Sequence, residues 1–181
     1  MVIPGTLLYV SALVLQIIIA HESPDDAAHA KELVGRLGCR LGSDYLLQPV
    51  AWKFELLESR YSQDYTLSSA ADIDILMIAA KGSLPEHVKR WIERWALSER
   101  IKPFALVALS NPSPGKEGTN EALDLDFLRQ IAARAKAQFF CLKDWLLDDI
   151  SRLKRTFALE AVRNDAEYLA AQLEKRGLWT V

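Results

Sequence analysis

Residues 73–80 read IDILMIAA and residues 104–109 read FALVAL. Both are short apolar runs that close on turn-forming residues. Gly82, Ser83 and Pro85 follow the first, and the Pro/Gly-rich stretch from Asn111 to Asn120 follows the second. Runs of this length, apolar throughout, belong to strands buried on both faces, as in a parallel sheet. Between them Val88, Trp91, Ile92 and Trp95 recur at i, i+3, i+4 and i+7, which is one face of an amphipathic helix. Strand, helix, strand: this is a βαβ unit.

The same alternation extends both ways. Upstream, VLQIIIA (Val14 to Ala20) reads as a buried strand, and Ser23-Pro24-Asp25-Asp26 as a helix start. Ser sits at the N-cap, Pro at the first helical position, and the acids face the positive end of the helix dipole. Ala27, Ala30, Leu33, Val34 and Leu37 then share a face, with Gly38 as the expected stop. Tyr45 to Val50 is the next strand, and Trp52 to Tyr61 is expected to form a second helix. Downstream, Phe127, Leu128, Ile131 and Ala135 mark a helix, and Gln138 to Leu142 a fifth strand. The expectation is a three-layer α/β/α sandwich, with parallel strands near 14–20, 45–50, 73–80, 104–110 and 138–142. The order is taken as 2-1-3-4-5, because the first strand is the most apolar and belongs in the middle. The whole chain, 1–181, is read as one domain.

Composition narrows the classes. With 181 residues, half of them apolar and a quarter charged, the chain builds a real core, and a disordered or fibrous protein is excluded. Lys plus Arg number 22 against 24 Asp plus Glu, a net charge of −2, which argues against a general grip on nucleic acid. The segment Lys81 to Lys102 nets +3, six basic against three acidic residues, and is read as a solvated amphipathic helix. Cys39 and Cys141 lie far apart, and His21, His29 and His87 are scattered, so no metal site is expected. Unpaired cysteines suit a reducing cytoplasm, with Cys141 as a buried thiol.

Met1 to Ala20 carries no charge, yet Pro4, Gly5, Thr6, Ser11 and Gln16 interrupt it and no basic flank precedes it. A signal peptide or membrane span is therefore set aside. The expectation is an apolar segment, residues 1–13, packed on protein ahead of the first strand. At the other end, Asp144 to Arg176 contains neither Gly nor Pro, and 144–177 is read as a helical extension. Leu159, Val162, Ala166, Leu169 and Leu173 repeat at 3-4-3-4 spacing, which favours packing on another helix. Self-association through this stripe is expected; the competing account folds it back on its own domain.

Trp52-Lys53-Phe54, Ala71-Asp72 before ILMIAA, Leu84-Pro85, Val88-Lys89, Trp91-Ile92-Glu93, Trp95 and Ala105 to Leu109 together resemble a group of uncharacterised bacterial proteins of flavodoxin-like or receiver-like fold. The resemblance spans roughly Val14 to Lys143 and implies a flavodoxin-like, Rossmann-like sheet, with no chemistry attached. IIIAHESPDD (Ile17 to Asp26) also looks like the opening of a response-regulator receiver domain. Receivers hold Mg²⁺ with an acidic pair here, which would be His21 and Glu22. They phosphorylate an Asp at the end of the third strand, where this chain has Ala79-Ala80-Lys81. Ser110 and Lys143 match the receiver Ser/Thr and Lys positions. Without the nucleophile, the resemblance implies a pseudo-receiver switched by partners. Flavodoxins bind FMN phosphate in the loop after the first strand, but here Glu22, Asp25 and Asp26 would repel it. No GxGxxG or P-loop occurs, so no cofactor is expected.

Any site in such a sheet lies beyond the carboxyl ends of the strands. His21, Glu22, Ser110 and Lys143 are the weak catalytic candidates there: a His beside a carboxylate for proton transfer, a Ser that needs a base, and a Lys to clamp an anion. Trp52, Lys81, Ser83 and Asn111 are the candidate crevice residues. The same residues also fit an ordinary solvated rim, with Glu22 paired to Lys143 or Lys81 and His21 a solvated loop residue. Three functional classes follow from this reading. A non-enzymatic regulatory or protein-interaction module leads, ahead of a cofactor-binding protein and an enzyme at the strand ends.

Overall fold

The computed structural model describes residues 12–70, 73–98, 105–110 and 123–142, all within the compact unit Met1–Lys143. The 1–11 part of the apolar N-terminal segment and the 144–177 extension, with its Leu159 to Leu173 stripe, lie outside the described residues. In chain order the elements are β1 (Leu13–His21), α1 (Pro24–Leu41), β2 (Tyr45–Lys53), a 3₁₀ turn (Phe54–Leu57), α2 (Arg60–Ser69), β3 (Ile75–Ala80), α3 (Glu86–Leu97), β4 (Ala105–Ser110), α4 (Leu125–Arg134) and β5 (Gln138–Leu142). The strands form one sheet in the order β2-β1-β3-β4-β5, every neighbouring pair parallel.

Alternation of side chains along the strands divides the core in two. Ile18 and Ala20 of β1, Leu76 and Ile78 of β3, and Leu106 and Ala108 of β4 join Trp91, Ile92 and Trp95 of α3 and Leu128 and Ile131 of α4 in one cluster. The other face carries buried Leu15, Ile17, Ile19, Ile75 and Met77, and α1 lies against β1, β2 and β3 with Ala30, Leu33, Val34 and Leu37 buried. The protein is a three-layer α/β/α sandwich. Trp91 and Trp95 are fully buried, stacked 6.3 Å apart and nearly parallel. Each indole N–H finds a partner: Trp91 donates to Thr66 Oγ1 at 2.9 Å and Trp95 to the Ala70 carbonyl at 3.1 Å. Core packing is therefore their role, as expected.

Several boundaries depart from the sequence reading. Trp52 and Lys53 do not start a helix; they continue β2, paired opposite Ala20 and His21. The expected 52–61 helix is instead a strand end, a single 3₁₀ turn, and a new helix capped by Ser59, whose hydroxyl accepts from the Ser62 N–H at 3.1 Å. Only Thr66 of α2 is buried, so this helix leaves almost no apolar period in the sequence. The third strand begins at Ile75, and just before it Asp74 is tied to β1: its N–H donates to the Gln16 carbonyl and its carboxylate accepts the Gln16 N–H, at 2.9 and 2.8 Å. Helix α1 runs past Gly38 to Leu41, and Gly42, with φ of +84°, supplies the left-handed residue after it. Edge strand β2 carries Pro49, which is tolerated at a sheet edge and blunts strand addition there.

Candidate functional site

The sheet register gathers the expected residues along one edge. His21 closes β1 opposite both Lys53 of β2 and Ala79 of β3, and Ala80 lies opposite Ser110 of β4. Trp52, one residue back, packs edge-on against Trp91 with ring centroids 6.0 Å apart. It is half-buried, packed against the core on one side and lining a groove between β1, β2 and α2 on the other. Asn111 and Lys143 lie outside the described residues.

His21 is not a solvated loop residue. It is the last residue of β1 and only 8 % exposed. Pairing on both sides carries the strand one residue further than its apolar run suggests. The imidazole Nδ1 sits 3.0 Å from the Ser23 carbonyl, which fixes that nitrogen as the donor. Burial depresses its pKa below the ordinary histidine value; the Ser23 contact and the Asp26 charge pull the other way, and Lys31 and Lys53 add to the depression. Asp26 is buried and closes a capping box, its Oδ2 accepting from the Ser23 N–H at 3.2 Å while the Ser23 hydroxyl accepts from the Asp26 N–H at 3.3 Å. Of the loop acids, Asp26 is thus committed to the start of α1.

Glu22 is committed too. Its N–H donates to the Ala79 carbonyl at 3.0 Å, and its Oε2 accepts the Lys81 backbone N–H at 3.1 Å. From Lys81 the partner is the main-chain donor left over where β3 ends, while Lys143, the other expected partner, lies outside the described residues. Lys53 pairs with Glu55 at 2.7 Å on the exposed rim. Ser83 donates its hydroxyl to Asp124 Oδ2 at 2.9 Å. The same oxygen accepts the Leu84 N–H at 2.8 Å and lies 3.0 Å from Lys89 Nζ. Burial alone would raise the Asp124 pKa, but Lys89, the Leu84 N–H and the Ser83 hydroxyl outweigh it and hold the carboxyl below its usual value. Asp124 thus ties the loop after β3 to the start of α4. Its sequence signal is slight, an acid one residue before a helical stripe, with no hint of a partner forty positions away.

Among the described residues, Glu22 therefore ties the end of β1 to the end of β3. A groove of about 370 Å³ opens elsewhere, between β1, β2 and α2, with Ile18, Val50, Trp52, Tyr65 and Ile73 among its walls. Among the described residues no group of His, Cys, Asp and Glu is arranged to hold a metal ion, and no helix is long and apolar enough to cross a membrane.

No protein-family model and no curated protein sequence matches the chain. Among solved structures it is similar to a CheY-like response regulator receiver domain from Methylobacillus flagellatus, at 15% identity and a TM-score of 0.43, over 79% of this chain and 98% of that one. It is also similar to general stress protein 14 in complex with FMN from Treponema denticola, at 12% identity and a TM-score of 0.34, over 80% and 96% of the two chains. The sheet order and register carry the assignment by themselves. The fold is receiver-like and flavodoxin-like.

Proposed function

We propose that this protein is a non-enzymatic regulatory or protein-interaction module, a pseudo-receiver that works through its surfaces rather than by phosphorylation. One observation carries this reading. Where a receiver would present a phosphorylatable Asp, β3 ends in Ala79 and Ala80, 2% and 1% exposed, and the adjacent Glu22 carboxylate is bound to the Lys81 N–H. A methyl group cannot accept a phosphoryl group, and a carboxylate held by a backbone donor is poorly placed to ligate a metal. The cofactor-binding alternative is weakened by the same loop, since Glu22, Asp25 and Asp26 set negative charge where a flavin phosphate would lie.

The partner favoured by the sequence is a second copy of the chain, joined through Leu159, Val162, Ala166, Leu169 and Leu173, in a reducing cytoplasm. Light scattering of the full chain tests it: the wild type runs as a dimer, and L169D/L173D runs as a folded monomer. A wild type that stays monomeric at high concentration refutes self-association. Saturable, stoichiometric FMN binding by the full chain refutes the interaction-module reading in favour of the cofactor alternative.

A further inference from the structure

Three guanidinium groups line one open cleft of about 480 Å³, formed by Glu58, Arg60 and Gln63 at the start of α2 and by Arg90 and Arg94 of α3. Arg94 is neutralised by Asp64 at 2.7 Å and also donates to Gln63 Oε1 at 3.0 Å. Arg60 and Arg90 have no carboxylate partner among the described residues; Arg90 reaches only the Glu86 carbonyl of its own helix, at 3.4 Å. Three positive charges thus face Glu58 alone in the lining, and with Asp64 counted the cleft still keeps a net charge of +1. The first turn of α2, where N–H groups lack helical partners, adds partial positive charge beside Arg60.

We propose that this cleft binds a phosphate group, free or as a monoester. A carboxylate offers two oxygens and one charge. A phosphate monoester offers three oxygens and about −1.5 to −2 charges at neutral pH, which suits the planar donor forks that Arg60 of α2 and Arg90 of α3 bring to one cleft. The cleft walls are polar and charged, without an aromatic pair to hold a base or flavin ring, so the phosphate itself is what the site recognises. Its source is either free phosphate or a phosphorylated side chain of a protein. The site uses none of the strand-end residues of β1 and β3.

The test is titration of the full-length chain at low salt, in a phosphate-free buffer, with inorganic phosphate and separately with O-phosphoserine. Backbone amide shifts of residues 58–63 and the arginine Nε–H signals are followed by NMR. Saturable shifts that weaken with added sodium chloride are expected, with affinity falling about tenfold or more in R60A/R90A. Both side chains are exposed, so this variant is expected to keep its fold. Removing the opposing charge in E58Q tightens binding, and R36A on α1, distant in sequence and paired with Glu32, leaves it unchanged. O-phosphoserine binding more tightly than inorganic phosphate supports the site with a phosphorylated protein as the source; equal binding supports it with free phosphate. Shifts that do not saturate, or that are the same in R60A/R90A as in the wild type, overturn the proposal.

Discussion

Replacing Asp124 with alanine removes three interactions made at one carboxylate oxygen: the Leu84 N–H, the Ser83 hydroxyl and the Lys89 ammonium. Their losses differ in size. Leu84 is 3 % exposed, so its N–H has little access to water as a substitute. A hydrogen bond to a charged acceptor contributes about 1.5–3 kcal/mol, and this is the largest of the three losses. The Lys89 pair, with side chains 25 and 26 % exposed, adds about 0–1 kcal/mol, and the exposed Ser83 hydroxyl returns to water at little cost. D124A is therefore expected to lose about 2–3 kcal/mol, and D124N, which keeps one acceptor oxygen, about 1 kcal/mol. Urea unfolding followed by fluorescence of the buried Trp91 and Trp95 reads the change as a lower midpoint at an unchanged slope. The pH dependence has a defined sign. Because the folded-state pKa lies below the ordinary value, the contribution is fully present above about pH 4 and fades as pH falls through the depressed pKa. A D124A variant within about 0.5 kcal/mol of wild type, or a gap that widens below about pH 4, refutes the assignment.

Two further outcomes follow from the same geometry. T66V removes the acceptor of the Trp91 indole N–H in a fully buried position while nearly conserving volume, so it costs about 1–3 kcal/mol in urea unfolding; a neutral result shows that the bond contributes nothing. His21 is buried with a depressed pKa, so the unfolded chain binds its proton first, and stability declines as pH drops from about 6.5 through the lowered folded value. H21N, whose amide can still donate to the Ser23 carbonyl, flattens the stability profile across that window; an unchanged slope assigns the titration to another group.

The fold is legible in the sequence because its signals are local. IDILMIAA, FALVAL and the punctuation after them reveal strands without knowledge of their neighbours, and the Val88 to Trp95 stripe reveals its helix equally well. What cannot be read depends on pairing across the sheet. Trp52 and Lys53 become strand only because Ala20 and His21 stand beside them, and the same pairing takes His21 out of the solvent. Glu22 stands out as a strand-end acid, but its Lys81 N–H partner is a main-chain group exposed by the end of β3, and no residue type announces it. The arginine cleft is hidden for a related reason. Arg90 and Arg94 are diluted by Glu86 and Glu93 along the chain, whereas in space Arg60 joins them from α2.

The proposed pseudo-receiver accepts no phosphoryl group at the carboxyl ends of β1 and β3. Incubating the full-length chain with acetyl phosphate and Mg²⁺, then measuring its intact mass, tests this most directly. The account predicts an unchanged mass. Addition of one hydroxylamine-labile phosphoryl group, mapped to Glu22, Asp25 or Asp26, would contradict it.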